Sequence, residues 1–530
     1  MAIFASALVL LAAIVFATRR LLRYLHIFQQ EEYDGRRFSN WLFAEAAFDK
    51  KLSAAILLLV VAARSMSDGA TLLNIALGIA FIAFAAIEPD PRKDAKKKLV
   101  LTERAMRILG VAFLVTLIAA CIALMLGGTW WWLAVVQLIP FTLVLSNWML
   151  SPYEKRIQDG FRKRAEARLR EVDPTIIGIT GSFGKTSVKH ILGHVLQLNT
   201  SALFTPGSVN TVMGITRIIN ERLDDGCKYF IVEMGAYGVG SIERLCTFTP
   251  PDHGILTSIG AAHYERFKDL ETVAKAKFEL ATAVKARNGR MVIDEQILER
   301  AHAKQRVEAG RSSFVIVGES EQADIRIISI KQTAKGLDVV LSENGDEVAL
   351  FAPLFGMHHG RNMALAFALA RTLDIDGDRI RTALRSTPQI QHRLEVKPQP
   401  SGVIYLDDAY NANPGGFANA LDLMQVLRTD DAARRILITP GVAELGEKHD
   451  EVHRELGAKA AVTTDITVVV KPERIPTFIE GLKTAPGRPE IVEFEQFAEA
   501  RAWLDANARA GDVVLVENDL PDLYERAFPT

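Results

Sequence analysis

Cysteine is scarce. The 530 residues hold three, Cys121, Cys227 and Cys246, an odd and scattered set without CxxC spacing. That argues against a disulfide framework and against a cysteine zinc site. Gly (36) and Pro (20) stand at ordinary levels, so collagen-like, mucin-like and disordered compositions are excluded. Excess charge is also missing: 62 Lys+Arg against 63 Asp+Glu leave a net charge of −1. That value sums unlike regions and says little about partners. No repeat of fixed period and no low-complexity tract is evident. What the chain does have is 49% hydrophobic residues and a mean hydropathy of +0.13 beside 24% charged residues, so its apolar residues are segregated. At roughly 100–200 residues per domain, the length predicts three or four domains.

The apolar residues concentrate in five runs, Ile3–Thr18, Leu52–Met66, Ala70–Ile87, Ile108–Leu126 and Trp130–Leu150. A helix that crosses a bilayer needs about 20 mostly apolar residues; the last three runs meet this and the first two lie near the lower limit. No basic residue precedes the first run and Arg19–Arg20 follow it, which predicts an uncleaved helix rather than a signal peptide. Basic residues gather in alternate connections: Arg19 to Lys51, Arg92 to Arg107, and Lys155 to Arg170. Ser67–Gly69 and Gly127–Thr129 carry none. Because positive segments stay on the cytoplasmic side, five helices predict an outside N-terminus and a cytoplasmic remainder, with Trp130, Trp131 and Trp132 at the opposite interface. These clusters are read as topology and anionic-lipid contacts, not as a nucleic-acid surface.

From Thr175 the pattern changes to α/β. Strand-like runs at Thr175–Thr180, Tyr229–Met234, Gly254–Ser258, Arg290–Ile293 and Ser313–Val317 alternate with helical periodicity, as in Val188, Ile191, Leu192, Val195 and Leu196. A mostly parallel sheet covered by helices follows. Asp324–Leu354 alternates around Glu343-Asn344-Gly345, a hairpin signal, and a helix is expected over Asn362–Leu373. A smaller doubly wound unit begins near Arg393 and runs from strand Val403–Leu406 to strand Asp512–Val516. The expected division is a transmembrane helical domain at 1–150, a basic linker at 151–170, a central α/β domain at 171–390 and a Rossmann-like domain at 391–530.

Strand Thr175–Ile179 runs into Thr180-Gly181-Ser182-Phe183-Gly184-Lys185-Thr186-Ser187 and then a helix. Glycines let backbone N–H groups turn around phosphate oxygens, and the helix start adds positive potential. Lys185 is placed to reach the β/γ-phosphates and Thr186 to bind magnesium. The strict G-x-x-x-x-G-K-[ST] pattern is not met, because Ile179 stands five positions before Gly184. Glu233, ending an apolar strand, offers an oxygen ligand beside the phosphates.

This loop resembles the T-G-x-x-G-K-[ST] loop of the Mur ligase family. The likeness continues in order through Asn210-Thr211, Val232–Gly235, Ala262–Phe267, Ala274–Lys277, Gly356-Met357-His358 with Asn362, His392-Arg393-Leu394, Asp407–Pro414 and Glu444-Leu445-Gly446. It covers roughly residues 171–530 and is nearest to the branch that adds a dipeptide to UDP-muramyl-tripeptide. The resemblance implies an ATP-dependent acid–amino acid ligase of cell-wall (peptidoglycan) biogenesis that works through an acyl phosphate. It implies nucleotide binding by Gly181, Ser182, Gly184, Lys185, Thr186, Ser187, Asn210, His358, Asn362, Arg393 and Asp408. Magnesium, two ions in the family, falls to Thr186, Glu233, His263 and a carbamylated Lys277. Lys185, His263, Lys277, Arg393 and Asp408 form the implied catalytic set. No catalytic role is assigned to Glu444, His449 or His453, which read as helix surface.

Two departures bear on the substrates. A membrane domain stands where the dipeptide-adding enzymes carry a soluble domain for the UDP-muramyl peptide. Their Lys-Gly-Ser-Arg-like segment is also missing: Glu517-Asn518-Asp519-Leu520-Pro521-Asp522 follows Val513–Val516. The expectation is therefore a multi-pass protein of the bacterial inner membrane, its catalytic domains cytoplasmic, joining a lipid-linked carboxylate to an amino acid or peptide amine. A chain-extending ligase like the poly-γ-glutamate or folylpolyglutamate synthases is the rival within the class. An ATP-driven transporter is the rival outside it, disfavoured because no LSGGQ-like signature is present and charges in the membrane helices are few.

Overall fold

The computed structural model describes residues 2–63, 69–93, 98–127, 130–236, 238–260, 269–409, 413–428, 430, 432–443 and 445–517. His263, Tyr410–Ala412, Glu444 and the segment after Glu517 lie outside the described residues. The chain divides into two compact units, with the boundary at Asp159/Gly160.

The first unit is helical: α1 (Ala2–Gln30), α2 (Gly35–Ala44), α3 (Lys51–Ala63), α4 (Gly69–Ile87), α5 (Glu103–Leu126) and α6, whose range Trp131–Val172 crosses the boundary. Each of the five apolar runs becomes a helix. Among the described residues, three helices, over Phe4–Gln30, Glu103–Leu126 and Trp131–Val172, are long and apolar enough to cross a membrane, and Lys51–Ala62 and Thr71–Ile87 are further apolar helical stretches. The first run, near the lower limit in the sequence, gains length because its helix continues through Arg19, Arg20 and Arg23, and the third lies within the 19-residue α4. The expected basic linker is the charged second half of α6. Trp132 turns into the helical unit. It is 2% exposed and packs edge-on against Phe81 at 5.6 Å, while Trp130 and Trp131 stay open. Two of the arginines that extend α1 are buried and paired: Arg20 lies 2.6 Å from Asp49 and 3.2 Å from Glu88, and Arg23 lies 2.9 Å from Glu88. Charges buried among apolar helices persist only when compensated in this way.

The second unit holds two sheets. The first has nine strands in the order β2-β3-β1-β4-β5-β6-β7-β8-β9: β1 (Thr175–Thr180), β2 (Ala202–Phe204), β3 (Tyr229–Glu233), β4 (His253–Leu256), β5 (Met291–Asp294), β6 (Phe314–Gly318), β7 (Ile325–Thr333), β8 (Gly336–Glu343) and β9 (Asp346–Ala352). Strands β1–β7 pair in parallel, and β7-β8-β9 form two hairpins rather than the single one expected. Asn344 (φ +53°) and Gly345 (φ +94°) make the second turn, as their side chains predict.

Strand residues alternate between two cores, which places one on each face of the sheet. Ile177, Ile179, Ile231 and Ile255 join α7 (Lys185–Asn199) and helix His358–Thr372. Ile176, Phe230, Val232 and Leu256 join helix Leu270–Ala286 on the other face. Parallel strands buried on both faces explain why these segments read as unbroken apolar runs.

The second sheet has the order β10-β11-β15-β12-β13-β14. Its strands are β10 (Glu395–Pro398), β11 (Ile404–Asp408), β12 (Arg435–Thr439), β13 (Ile466–Val470), β14 (Glu490–Phe494) and β15 (Val513–Glu517). Only the β10–β11 pair is antiparallel. This is the smaller doubly wound fold that the alternation implied.

Candidate active site

In open parallel sheets, ligands gather at the carboxyl ends of the strands where strand order reverses. Here β1 lies between β3 and β4, and its carboxyl end runs into the turn Gly181–Gly184. Gly181 (φ +155°) and Gly184 (φ +82°) hold backbone angles that side chains resist. A Cβ on Gly181 would overlap Thr257 Oγ1, and one on Gly184 would come within 2.7 Å of Asn362 Oδ1. Gly184 caps α7 without a side-chain hydrogen bond, so first-turn N–H groups remain for a ligand. Gly184→Ala combines left-handed strain with displacement of Asn362. It is expected to weaken nucleotide binding about tenfold or more, read by titration with a fluorescent ATP analogue.

Lys185 Nζ donates to the loop's own carbonyls, Gly181 O at 2.7 Å and Ser182 O at 3.2 Å. Burial pushes its ammonium below the ordinary lysine value; Glu233 opposes this, and Arg393 and Lys189 add to it. Ser187 is buried in the same first turn.

Glu233, at the end of β3, is the centre of the polar cluster. Its Oε2 accepts from Thr186 Oγ1 at 3.0 Å and Lys189 Nζ at 2.9 Å, and its Oε1 accepts from Asn210 Nδ2 at 3.3 Å. Glu233 is 1% exposed and Lys189 is fully buried, which rules out a strand-end charge directed at solvent. A carboxylate and a hydroxyl side by side next to a phosphate loop form the hard-oxygen donor set that magnesium takes, so these residues fit the metal. Lys277, on helix Leu270–Ala286, is 4% exposed. Burial, with the Lys185 charge, pushes its amine well below the lysine range. A neutral amine is the form that adds carbon dioxide, so Lys277 suits carbamylation.

Helix His358–Thr372 brings Asn362 against the loop. His358 is half-buried, and its buried Nδ1 finds no partner among the described residues; desolvation, helped by Arg393, pushes its imidazole down to about 4. The neighbouring His359 ring lies 4.2 Å away.

Arg393 sits at the junction of the two sheets. Its charge reaches Lys185, His358 and Asp408 alike. His392 (φ +57°) and Leu394 (φ +47°) flank it in left-handed conformations, a cost that persists only where surroundings dictate the geometry. Asp408, ending β11, accepts Leu394 N–H at 3.1 Å, and burial pushes its carboxyl up to about 6. Nearby, His392, Glu395 and Asp407 converge. Lys397 Nζ lies 2.8 Å from Glu395 and 2.7 Å from Asp407, so an ammonium already fills the place of a cation there.

The structure therefore brings Gly181–Ser187, Asn210, Glu233, Lys277, His358, Asn362, Arg393 and Asp408 into one region. Lys189 was missed, although Lys185, Lys189, Leu192 and Leu196 share one helical face and the two leucines are buried. Glu517, fully buried at the end of β15, was missed as well. His453 is no surface residue: it is buried, its Nε2 accepting Val442 N–H at 3.0 Å and its Nδ1 facing His449 O at 2.7 Å. That is a structural histidine.

A phosphate loop on one parallel sheet, with an arginine supplied at the junction to a second doubly wound sheet, defines a two-domain nucleotide-using enzyme. Comparison with known proteins narrows the class. The Mur ligase middle domain matches residues 179–370, and the Mur ligase glutamate ligase domain matches 392–517. A UDP-N-acetylmuramoyl-tripeptide–D-alanyl-D-alanine ligase of Mycobacterium tuberculosis is 32% identical over 363 residues, covering 65% of this chain and 70% of that protein. The enzyme of the same name from Bacillus subtilis is 26% identical over 359 residues, covering 67% and 75%. The crystal structure of MurF ligase from Thermotoga maritima in complex with ADP superposes with a TM-score of 0.57 at 26% identity, covering 70% of this chain and 82% of that one. The chain belongs to the Mur ligase family, as an ATP-dependent acid–amino acid ligase of the MurF-like kind.

Proposed function

We propose that this ligase acts on a carboxylate presented at the cytoplasmic face of the bacterial inner membrane, a lipid-linked relative of the muramyl peptides named for its homologues. The reading rests on the phosphate loop with its Thr186–Glu233 pair and Arg393, carried on a chain with three helices long and apolar enough to span a bilayer. The same reading takes 1–150 as a transmembrane domain and 171–390 and 391–530 as the ligase domains.

The substrate carboxylate attacks the γ-phosphorus of ATP, ADP leaves, and an acyl phosphate results. The amine then attacks the carbonyl carbon, inorganic phosphate leaves and the amine gives up its proton. Crowded anions resist the first step; Lys185 and Arg393 provide electrostatic relief that grows as charge shifts toward the leaving phosphate. Asn210, His358 and Asn362 frame the nucleotide, and Asp408 holds the backbone turn that aims Arg393. Thr186 and Glu233 would hold one magnesium ion, with His263 and a carbamylated Lys277 holding a second, and the metal would neutralise phosphate oxygens.

The test incubates the intact protein in nanodiscs with Mg-ATP and matched lipid-linked and soluble carboxylates plus an amine pool, following ADP release and product masses. Faster ADP release and a new lipid-linked amide are expected with the lipid-linked acids. Equal turnover of a soluble carboxylate by residues 160–530 alone contradicts presentation by the membrane.

A further inference from the structure

In β11 and β15, parallel neighbours, Asp408 pairs with Glu517 in register, so both carboxyl-terminal residues project from the same face. Glu517 is fully buried and Asp408 is 8% exposed. Both Glu517 oxygens lack a hydrogen-bond partner among the described residues. Asp408 gives Oδ1 to Leu394 N–H, which leaves Oδ2. A buried carboxyl pair of this kind costs free energy unless something compensates it. Arg393 acts on Asp408, but among the described residues no cation acts on Glu517, whose carboxyl burial and the Asp408 charge push well above the ordinary carboxylate range. With Glu517 ionised, three acceptor atoms, its Oε1 and Oε2 and Asp408 Oδ2, are carried side by side at the carboxyl edge of the second sheet, the edge where such folds bind ligands. An ammonium group has three N–H donors and one positive charge, the matching complement.

We propose that Glu517 and Asp408 form a recognition subsite for the ammonium group of the amine substrate, selecting amines whose nitrogen has no carboxylate beside it. A free α-amino acid would place its own anion against the two acids. An amide-blocked or side-chain amine would not. This deepens the ligase reading and rests on it.

The probes are L-alaninamide, L-lactamide, which replaces only the ammonium by hydroxyl, and L-alanine, which adds the adjacent carboxylate. Saturation-transfer NMR titrations use the full chain in nanodiscs saturated with Mg-ADP, whose own affinity is measured on every sample. Alaninamide is expected to bind about tenfold or more tighter than either other probe, the scale of a lost charge-assisted hydrogen bond. Glu517→Gln should erase that preference while Mg-ADP affinity stays at its wild-type value. Glu517→Met, apolar and suited to a buried site, should do the same. Equal binding of alaninamide and lactamide to the wild type, or a preference that survives both substitutions, overturns the subsite alone. Failure of the wild type to bind Mg-ADP overturns the ligase reading and the subsite with it.

Discussion

Lys185→Ala is expected to lower the rate of ADP release by about 10²- to 10³-fold, the scale for removing one group aimed at developing transition-state charge. The ammonium lies over the loop, held by Gly181 O and Ser182 O at 2.7 and 3.2 Å, and these bonds set its position before any nucleotide arrives. An alanine leaves the glycine angles and the α7 start untouched, so folding should persist. The measurement is coupled-assay turnover of the purified full chain beside its circular dichroism and melting temperature. Lys185→Arg should recover little, because a planar guanidinium cannot take the same two carbonyls and still reach phosphate. Wild-type turnover in Lys185→Ala would remove the phosphate loop from the chemistry.

Glu233→Ala is expected to fail differently, through stability as well as rate. It leaves the Lys189 ammonium buried beside Gly207 O and Thr186 without its counter-ion, and breaking a buried pair from one side costs roughly 3–5 kcal/mol. The double substitution Glu233→Ala/Lys189→Met removes the orphaned charge as well and should restore most of the melting temperature, yet turnover should stay at the level of Glu233→Ala. Denaturant unfolding of the single and double variants, with ADP release for each, separates the two roles. Recovery of turnover along with stability would show that Glu233 acts only as the partner of Lys189.

The parts of the fold that were legible in the sequence are those whose signals are local. β1, β5 and β6 fall within a residue of where apolar runs place them, and Glu233 ends its strand as expected. The phosphate loop is legible because its glycines, lysine and threonine are contiguous. Strand β2 was not, being three residues long and only half-buried. Nor was β10, which interrupts the stretch between two lobes with a single antiparallel pairing. The helix at Pro476–Thr484 opens on a proline that reads as a loop signal. Partners distant in sequence were invisible for a different reason: nothing near Lys189 announces Glu233, 44 positions later, and nothing near Glu517 announces that strand order sets it against Asp408. Buried charges of this kind look like ordinary surface residues until the sheet order is known.

The central claim is that a carboxyl oxygen is phosphorylated before the amine attacks. The direct measurement uses a carboxylate substrate labelled with oxygen-18 on both oxygens, incubated with the full chain, Mg-ATP and amine, followed by mass analysis of the inorganic phosphate. One labelled oxygen per phosphate released is the predicted result. Phosphate free of the label in turnovers that form the amide would contradict the account.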